Sequence, residues 1–296
     1  MWSRTRAGSS SVPRLGLHIP TGAGLPVSAR VAVTLGCETI QIFTGSPVTW
    51  SASELHPDAV AVFRATLAEH HIAPIIVHAP YLVNLATADP VNKSKSRQSL
   101  STAMYRAALL GASYVVTHIG SHKGAGIEVG LDNVTRGVER VLRYDASAVM
   151  LLLENGSGGG NTIGSNLSEL RAILDALSDW SPRVGVCLDT AHLWGAGYDV
   201  ATPEKWTSFL DEFDQTIGLA RLRLIHINDS GVPLGSRRDL HRPPGQGAIG
   251  METFIHMLTD PRLTGLPLIM ELPTRLESPY RDQLRQLKEL RDQLSR

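Results

Sequence analysis

The sequence predicts a parallel (β/α)8 TIM barrel in a single domain. Three observations predict it. Eight short apolar runs rich in Val, Ile and Leu recur along the chain, and helix-length segments with apolar residues at helical spacing lie between them. No Pro/Gly-rich linker divides the 296 residues. Apolar runs of this kind are strands buried on both faces, as parallel sheets require, and their regular alternation with helices makes βαβ units. Eight such units at this length match a closed barrel. A doubly wound open sheet is the competing arrangement of the same units.

The strands are expected at Leu15–Ile19, Thr39–Phe43, Pro74–His78, Ser113–His118, Val149–Glu154, Val184–Asp189, Leu222–Asn228 and Pro267–Glu271. The helices are expected at Pro26–Leu35, Ala59–His70, Ser96–Leu110, Asn133–Tyr144, Ser168–Leu177, Pro203–Thr216 and Met251–Leu258. A last amphipathic helix follows from Ser278, with leucines at Leu284, Leu287, Leu290 and Leu294. The glycine-rich stretch Gly156–Gly164 directly follows a strand and reads as a βα loop. Met1–Pro13 is basic and Ser-rich without the apolar core of a signal peptide, so a flexible tail is expected over 1–13 and the barrel over 14–296.

Charge and cysteine content narrow the function classes. With 28 basic and 28 acidic residues the net charge is zero, so a DNA partner would have to be held by a local basic patch or by metal ions. Cys37 and Cys187 lie in or beside apolar runs and read as small buried hydrophobes. They provide no disulfide framework, which favours a reducing cytoplasm. No apolar run is long enough to span a membrane, and a monomer is the expected state.

The chemistry gathers at the strand ends. His78, His118, Glu154 and Asp189 end four successive strands, and His192 follows three residues after Asp189. His226 stands on the seventh strand, Asp239 and His241 in the loop after it, and Glu271 ends the eighth. In a barrel these C-terminal ends face one pocket. A single His at a strand end is usually an ordinary packed residue. Apolar strands that repeatedly end in His, Asp or Glu need compensation for the burial, and metal ions supply it. Imidazole and carboxylate without cysteine point to catalytic zinc or manganese, and the ligands are too many for one tetrahedral ion. Such a cluster suits two or three ions acting on a phosphodiester, with a sugar carbonyl as the competing substrate class.

Together these segments resemble the endonuclease IV family of apurinic/apyrimidinic endonucleases. The matching stretches are HAPYLVNLA from His78, THIGSHKG from Thr117, LLLENGSGGGNTIG from Leu151 and RVGVCLDTAHLWGAGYD from Arg183. HINDSGVPLGSRRDLHRPPGQGAIG from His226 and PLIMELP from Pro267 complete them. The resemblance implies a zinc-dependent enzyme of base excision repair with three ions per chain, manganese being an option at one site. His78 and His118 would hold the first ion, with Glu154 bridging to a second that Asp189, His226 and Glu271 complete. His192, Asp239 and His241 would hold the third. Glu154 would be the catalytic carboxylate that positions the attacking hydroxide. The implied reaction cleaves the phosphodiester 5′ to an abasic site in duplex DNA, leaving a 3′-hydroxyl and a 5′-deoxyribose phosphate.

Recognition of an abasic nucleotide has to rest on bending and extrusion, because no base is present to read. Tyr81 and Leu82 lie where the family inserts side chains into the duplex. Lys123, Arg237, Arg238 and Arg242 are candidates for phosphate contacts, and His122 is a weaker one. The loop Phe43–Trp50 departs from the family: Gly45, Ser46, Pro47 and Val48 stand where polar and basic residues, including an arginine, are usual. Gly245–Gly250 spells GxGxxG but follows Arg242-Pro243-Pro244 rather than a strand, which excludes a dinucleotide site. Two other readings compete, a metal-dependent sugar isomerase or epimerase and a non-catalytic binder of damaged DNA.

Overall fold

A computed structural model of the chain describes residues 12–51, 53–271 and 278–295. The eight predicted runs form the eight parallel strands of a closed barrel. These are β1 (Arg14–His18), β2 (Thr39–Phe43), β3 (Ile75–His78), β4 (Tyr114–His118), β5 (Met150–Glu154), β6 (Val184–Asp189), β7 (Leu222–His226) and β10 (Pro267–Met270). Two further short strands, β8 (Asp229–Ser230) and β9 (His241–Arg242), pair antiparallel in the segment after β7. Closure comes from the pairing of β10 with both β7 and β1, which excludes the open sheet.

Helices α1 (Leu25–Leu35), α2 (Pro57–Glu69), α3 (Pro90–Leu110), α4 (Ile127–Arg143), α5 (Leu167–Ala176), α7 (Pro203–Thr216), α8 (Met251–Thr259) and α9 (Ser278–Leu294) lie between and after the barrel strands. The additional short helix α6 (Thr190–Ala196) had no counterpart in the sequence reading. Helix α3 begins six residues earlier than the apolar period shows, because Asp89 caps it by accepting from Asn92 N (2.7 Å) and Pro90 occupies its first position. Helix α4 likewise extends N-terminally to Ile127. Gly36 and Gly111, both left-handed, stop α1 and α3.

The core has two layers. Ile76, Val116, Leu152, Cys187, Leu224 and Ile269 fill the barrel interior. The opposite strand faces, among them Leu15, Val77, Val115 and Leu153, pack against the helices. Both cysteines are free and buried, as small hydrophobes should be. At the N-terminal end of the barrel α9 buries Leu284 and Leu287. Its Arg291 donates to Pro13 O (2.7 Å) and to Glu38 Oε2 (2.6 Å). Of the tail expected over 1–13, residues 1–11 lie outside the described residues, and Pro13 is buried and held by this contact. No helix among the described residues is long and apolar enough to cross a membrane.

Candidate metal centre

Side chains alternate along a strand, so every second residue faces the barrel interior. One step beyond the inner apolar layer stand His78, His118, Glu154, Asp189, His226 and Glu271. They follow Ile76, Val116, Leu152, Cys187, Leu224 and Ile269 at i+2. Register aligns them across the ladder: His118 pairs with Glu154 and Asp189 with His226. Strands β1 and β2 complete the polar layer with His18 and Gln41, which also pair in register. The sequence reading missed these two. Its available signal was Gln41, a buried amide inside the apolar strand TIQIF.

Three overlapping groups of His and carboxylate side chains have ligand atoms within 4.8 Å of one another: His78, His118 and Glu154; Glu154, Asp189, His226 and Glu271; and Asp189, His192 and His241. Glu154 stands between histidines on both sides. Its Oε2 lies 3.3 Å from His78 Nε2 and 3.2 Å from His118 Nε2, while its Oε1 lies 3.1 Å from His226 Nδ1. Asp239 bridges His192 Nε2 (3.1 Å) and His241 Nε2 (2.9 Å), the three residues that the resemblance assigned to a third ion. Asp189 reaches the third group as well, 3.5 Å from His241 Nε2, so the second and third groups share a carboxylate that the sequence reading gave to the second alone.

Helix α6 explains the spacing of Asp189 and His192. Asp189 is its N-cap and accepts from His192 N (2.8 Å), which turns the imidazole back over the strand end. Backbone carbonyls then orient the rings. His78 Nδ1 donates to Ala79 O (2.6 Å) and His192 Nδ1 donates to Asn155 O (2.9 Å). A carbonyl only accepts, so in the neutral rings Nε2 is the bare nitrogen facing the carboxylates. Asn155 accepts from Asp189 N (2.6 Å), and Asn228 donates to Asp189 Oδ2 (2.7 Å) and accepts from Glu271 N (2.9 Å).

The donor set fits divalent cations. Glu154 and Asp189 are fully buried, and Glu271 lies beside them. Burial disfavours charge on His226 and His241, yet the surrounding carboxylates outweigh it and raise each pKa to about 9. The same balance raises His192. Burial disfavours charge on Glu154, Glu271 and Asp239 too, but the facing histidines hold all three well below the ordinary carboxylate range. The pocket is thus strongly cation-seeking. His241 Nε2 is buried and close to two carboxylates yet has no hydrogen-bond partner among the described residues, as a ligand nitrogen would.

A cavity of about 1120 Å³ opens from this cluster. It runs past His18 and Phe43 to an apolar wall that includes Leu25 and Leu55.

Comparison with known proteins identifies the architecture. A family model described as a xylose isomerase-like TIM barrel matches residues 29–290. A relative from Heliobacterium modesticaldum named probable endonuclease 4 is 41% identical over 269 residues, covering 90% of this chain and 96% of the relative. The crystal structure of endonuclease IV from Thermus thermophilus superposes with a TM-score of 0.84 at 36% identity, covering 95% of this chain and all of that one. The chain belongs to the endonuclease 4 family. It is therefore a nuclease, a hydrolase. A D-tagatose 3-epimerase-like structure shares the fold at a TM-score of 0.69 and 18% identity, covering 96% of this chain and 100% of the other.

The residues that the family resemblance placed on DNA line the mouth of the site or its neighbouring loops. Tyr81 is 52% exposed and stacks over His118, the ring centroids 5.7 Å apart. Leu82 beside it is half-buried. Lys123, Arg237, Arg238 and Arg242 are exposed, and Lys123 and Arg237 adopt left-handed backbone (φ 51° and 56°). His122 is occupied otherwise: its Nδ1 accepts from Gly126 N (3.0 Å) at the start of α4. The divergent loop after β2 is held in place. Arg106 donates to the carbonyls of Thr44 and Ser53, and Tyr81 N donates to Pro47 O (2.9 Å). Val48 in this loop is 65% exposed.

The GxGxxG segment encloses an internal anion. Asp229, fully buried, accepts from the backbone N–H groups of Ser230 (2.7 Å), Gly245 (2.9 Å), Gly247 (2.9 Å), Ile249 (2.8 Å) and Gly250 (3.2 Å).

Proposed function

We propose that this chain is a zinc-dependent endonuclease of base excision repair that hydrolyses the phosphodiester 5′ to an abasic site in duplex DNA. The products are a 3′-hydroxyl and a 5′-deoxyribose phosphate. The observation that carries the reading is the position of Glu154, whose two oxygens face different histidine sets. A carboxylate so placed would hold a cation on each side.

His78 and His118 would hold one ion, Asp189, His226 and Glu271 a second, and His192, Asp239 and His241 a third, with Asp189 also in reach of the last. Imidazole–carboxylate sites of this kind suit zinc, and the carboxylate-rich second group also suits manganese. Such ions, when bound, stabilise phosphoryl charge and make water acidic enough to attack. Glu154 would fix the spacing between the first two groups and position the attacking water. Tyr81 and Leu82 wedge into the duplex at the extruded nucleotide, and Lys123, Arg237 and Arg238 hold flanking phosphates. Gly45, Ser46 and Pro47, in the loop that departs from the family, line the same cavity. The isomerase or epimerase reading leaves the group His192, Asp239 and His241 without a role, and a pure binder has no use for a hydrolytic cluster.

The test is a nicking assay on a duplex with one abasic site, run with zinc-loaded protein. A single cut leaving a 3′-hydroxyl is expected. Retained binding with no cut would overturn the enzymatic reading, and one ion per chain with turnover of a ketose would favour the epimerase.

A further inference from the structure

His226 faces the cluster with Nδ1, whereas His78, His118 and His241 face their carboxylates with Nε2 and His192 turns Nε2 to Asp239 while its Nδ1 is taken by Asn155 O. Something must fix that choice, because a neutral imidazole has one bare nitrogen and could present either. The cause lies on β2. The Gln41 side chain is fully buried and makes three contacts: with Glu271 Oε1 (2.5 Å), His226 Nε2 (2.8 Å) and His18 Nδ1 (3.0 Å).

These contacts fix the orientation of the amide without appeal to the protons themselves. A carboxylate only accepts, so the Gln41 atom facing Glu271 is the NH2 nitrogen. The amide oxygen therefore faces His226, and His226 Nε2 has to donate to it. Nδ1 of His226 is left bare, directed at Glu154 Oε1 (3.1 Å), Glu271 Oε2 (3.2 Å) and Asp189 Oδ2 (3.8 Å). The second hydrogen of the amide goes to His18 Nδ1, which puts the proton of that ring on Nε2, a buried atom with no hydrogen-bond partner among the described residues.

We infer that Gln41 is a positioning residue of the metal centre: it selects Nδ1 of His226 as the ligand atom and clamps Glu271 beside it. The inference rests on reading this cluster as a metal centre. Gln41 touches neither substrate nor ion. It acts through two ligands of one ion and leaves the groups around His118 and His241 untouched. Outer contacts of this kind orient the ring and commonly change metal affinity by about 10–100-fold.

Two measurements decide it. In the zinc-loaded wild type, long-range ¹H–¹⁵N correlation of the imidazoles should show His226 protonated at Nε2 with Nδ1 bare, and His18 protonated at Nε2. His226 protonated at Nδ1 overturns the inference without any variant. Chelator titration of Gln41→Leu followed by metal analysis should release one equivalent of zinc at a chelator concentration about 10–100-fold below that needed for wild type, the others being retained. Gln41→Glu, which still accepts from His226 but repels Glu271, should also lose one equivalent early while keeping the His226 proton on Nε2. Release of all ions at the wild-type midpoint from both variants overturns the proposal. Absence of zinc from the wild type would instead refute the metal-centre reading itself.

Discussion

Two kinds of buried carboxylate lie at or just beyond the C-terminal ends of the barrel strands, and they are neutralised in opposite ways. Asp229, three residues past His226, is wrapped by five backbone N–H groups, from Ser230 and from the loop Gly245–Gly250. Its charge is met entirely by the protein. Glu154, Asp189 and Glu271 are met by imidazoles, which compensate them only when protonated. The first arrangement is complete as it stands and serves the fold. The second calls for a cation from outside, and that demand makes it a site. The GxGxxG segment, suited to a phosphate elsewhere, here cradles an anion of its own chain and ties the ribbon bearing His241 to the end of β7.

The difference can be broken from either side. The largest effect is expected for Glu154→Gln, which removes the carboxylate shared by two ligand groups. Cleavage of an abasic duplex should fall about a thousandfold or more, and metal analysis should show fewer ions per chain. Bound ions stabilise only the folded protein. The melting temperature of this variant should therefore lie below that of the loaded wild type, and excess chelator should close most of the gap. A gap that survives chelation would mean that Glu154 serves the fold as Asp229 does.

Asp229→Asn should behave in the reverse manner. An NH2 group in place of one oxygen confronts two or three backbone donors, leaving each unpaired at about 1–3 kcal/mol. Unfolding free energy should drop by about 2–9 kcal/mol, equally with and without chelator. Gly247→Ala tests the same cradle sterically. Its Cβ would lie 2.4 Å from Ser230 O and 2.5 Å from Asp229 Oδ1, so the loop has to open. A variant as stable as wild type would show that the cradle is loose and that Asp229 is not its centre.

The same contrast explains what could be read in the sequence. Six of the eight inward polar positions were legible, because successive apolar runs that carry His, Asp or Glu at or near their ends show both their period and their anomaly. His18 and Gln41 escaped: His18 lies within an apolar run rather than at its end, and an amide is not a ligand type. The cradle around Asp229 was half visible. Its glycines stood out as a motif, but their anion is sixteen or more residues earlier in the chain, and only the ribbon of β8 and β9 brings the two together. Helix α6 is seven residues long, too short to show a period, although its N-cap spacing from Asp189 to His192 was plain. The N-terminal turns of α3 and α4 are polar and carried no periodic signal, so their starts were placed late.

A third carboxylate sharpens the comparison at the far end of the barrel. Glu38 is partly buried, and burial raises its pKa, but Arg291, the N–H of Leu15 and Lys288 outweigh this and bring it below its ordinary value of 4.5. Arg291 contacts both oxygens, at 2.6 and 2.8 Å. Here a fixed side-chain cation does the work that N–H groups do for Asp229 and that metal ions would do for Glu154. A carboxyl with a depressed folded pKa contributes its stability above the unfolded value, and that contribution is lost as pH falls through the folded one. Glu38→Gln should therefore cost about 1–3 kcal/mol at neutral pH and progressively less on acidification below about pH 4.5. Denaturant titrations of the metal-free proteins across that range would check this, free of any effect of acid on the metal ligands' ions. A cost that stays constant with pH would mean that Arg291 is held by Pro13 O alone and that the charge on Glu38 is incidental to closing the barrel.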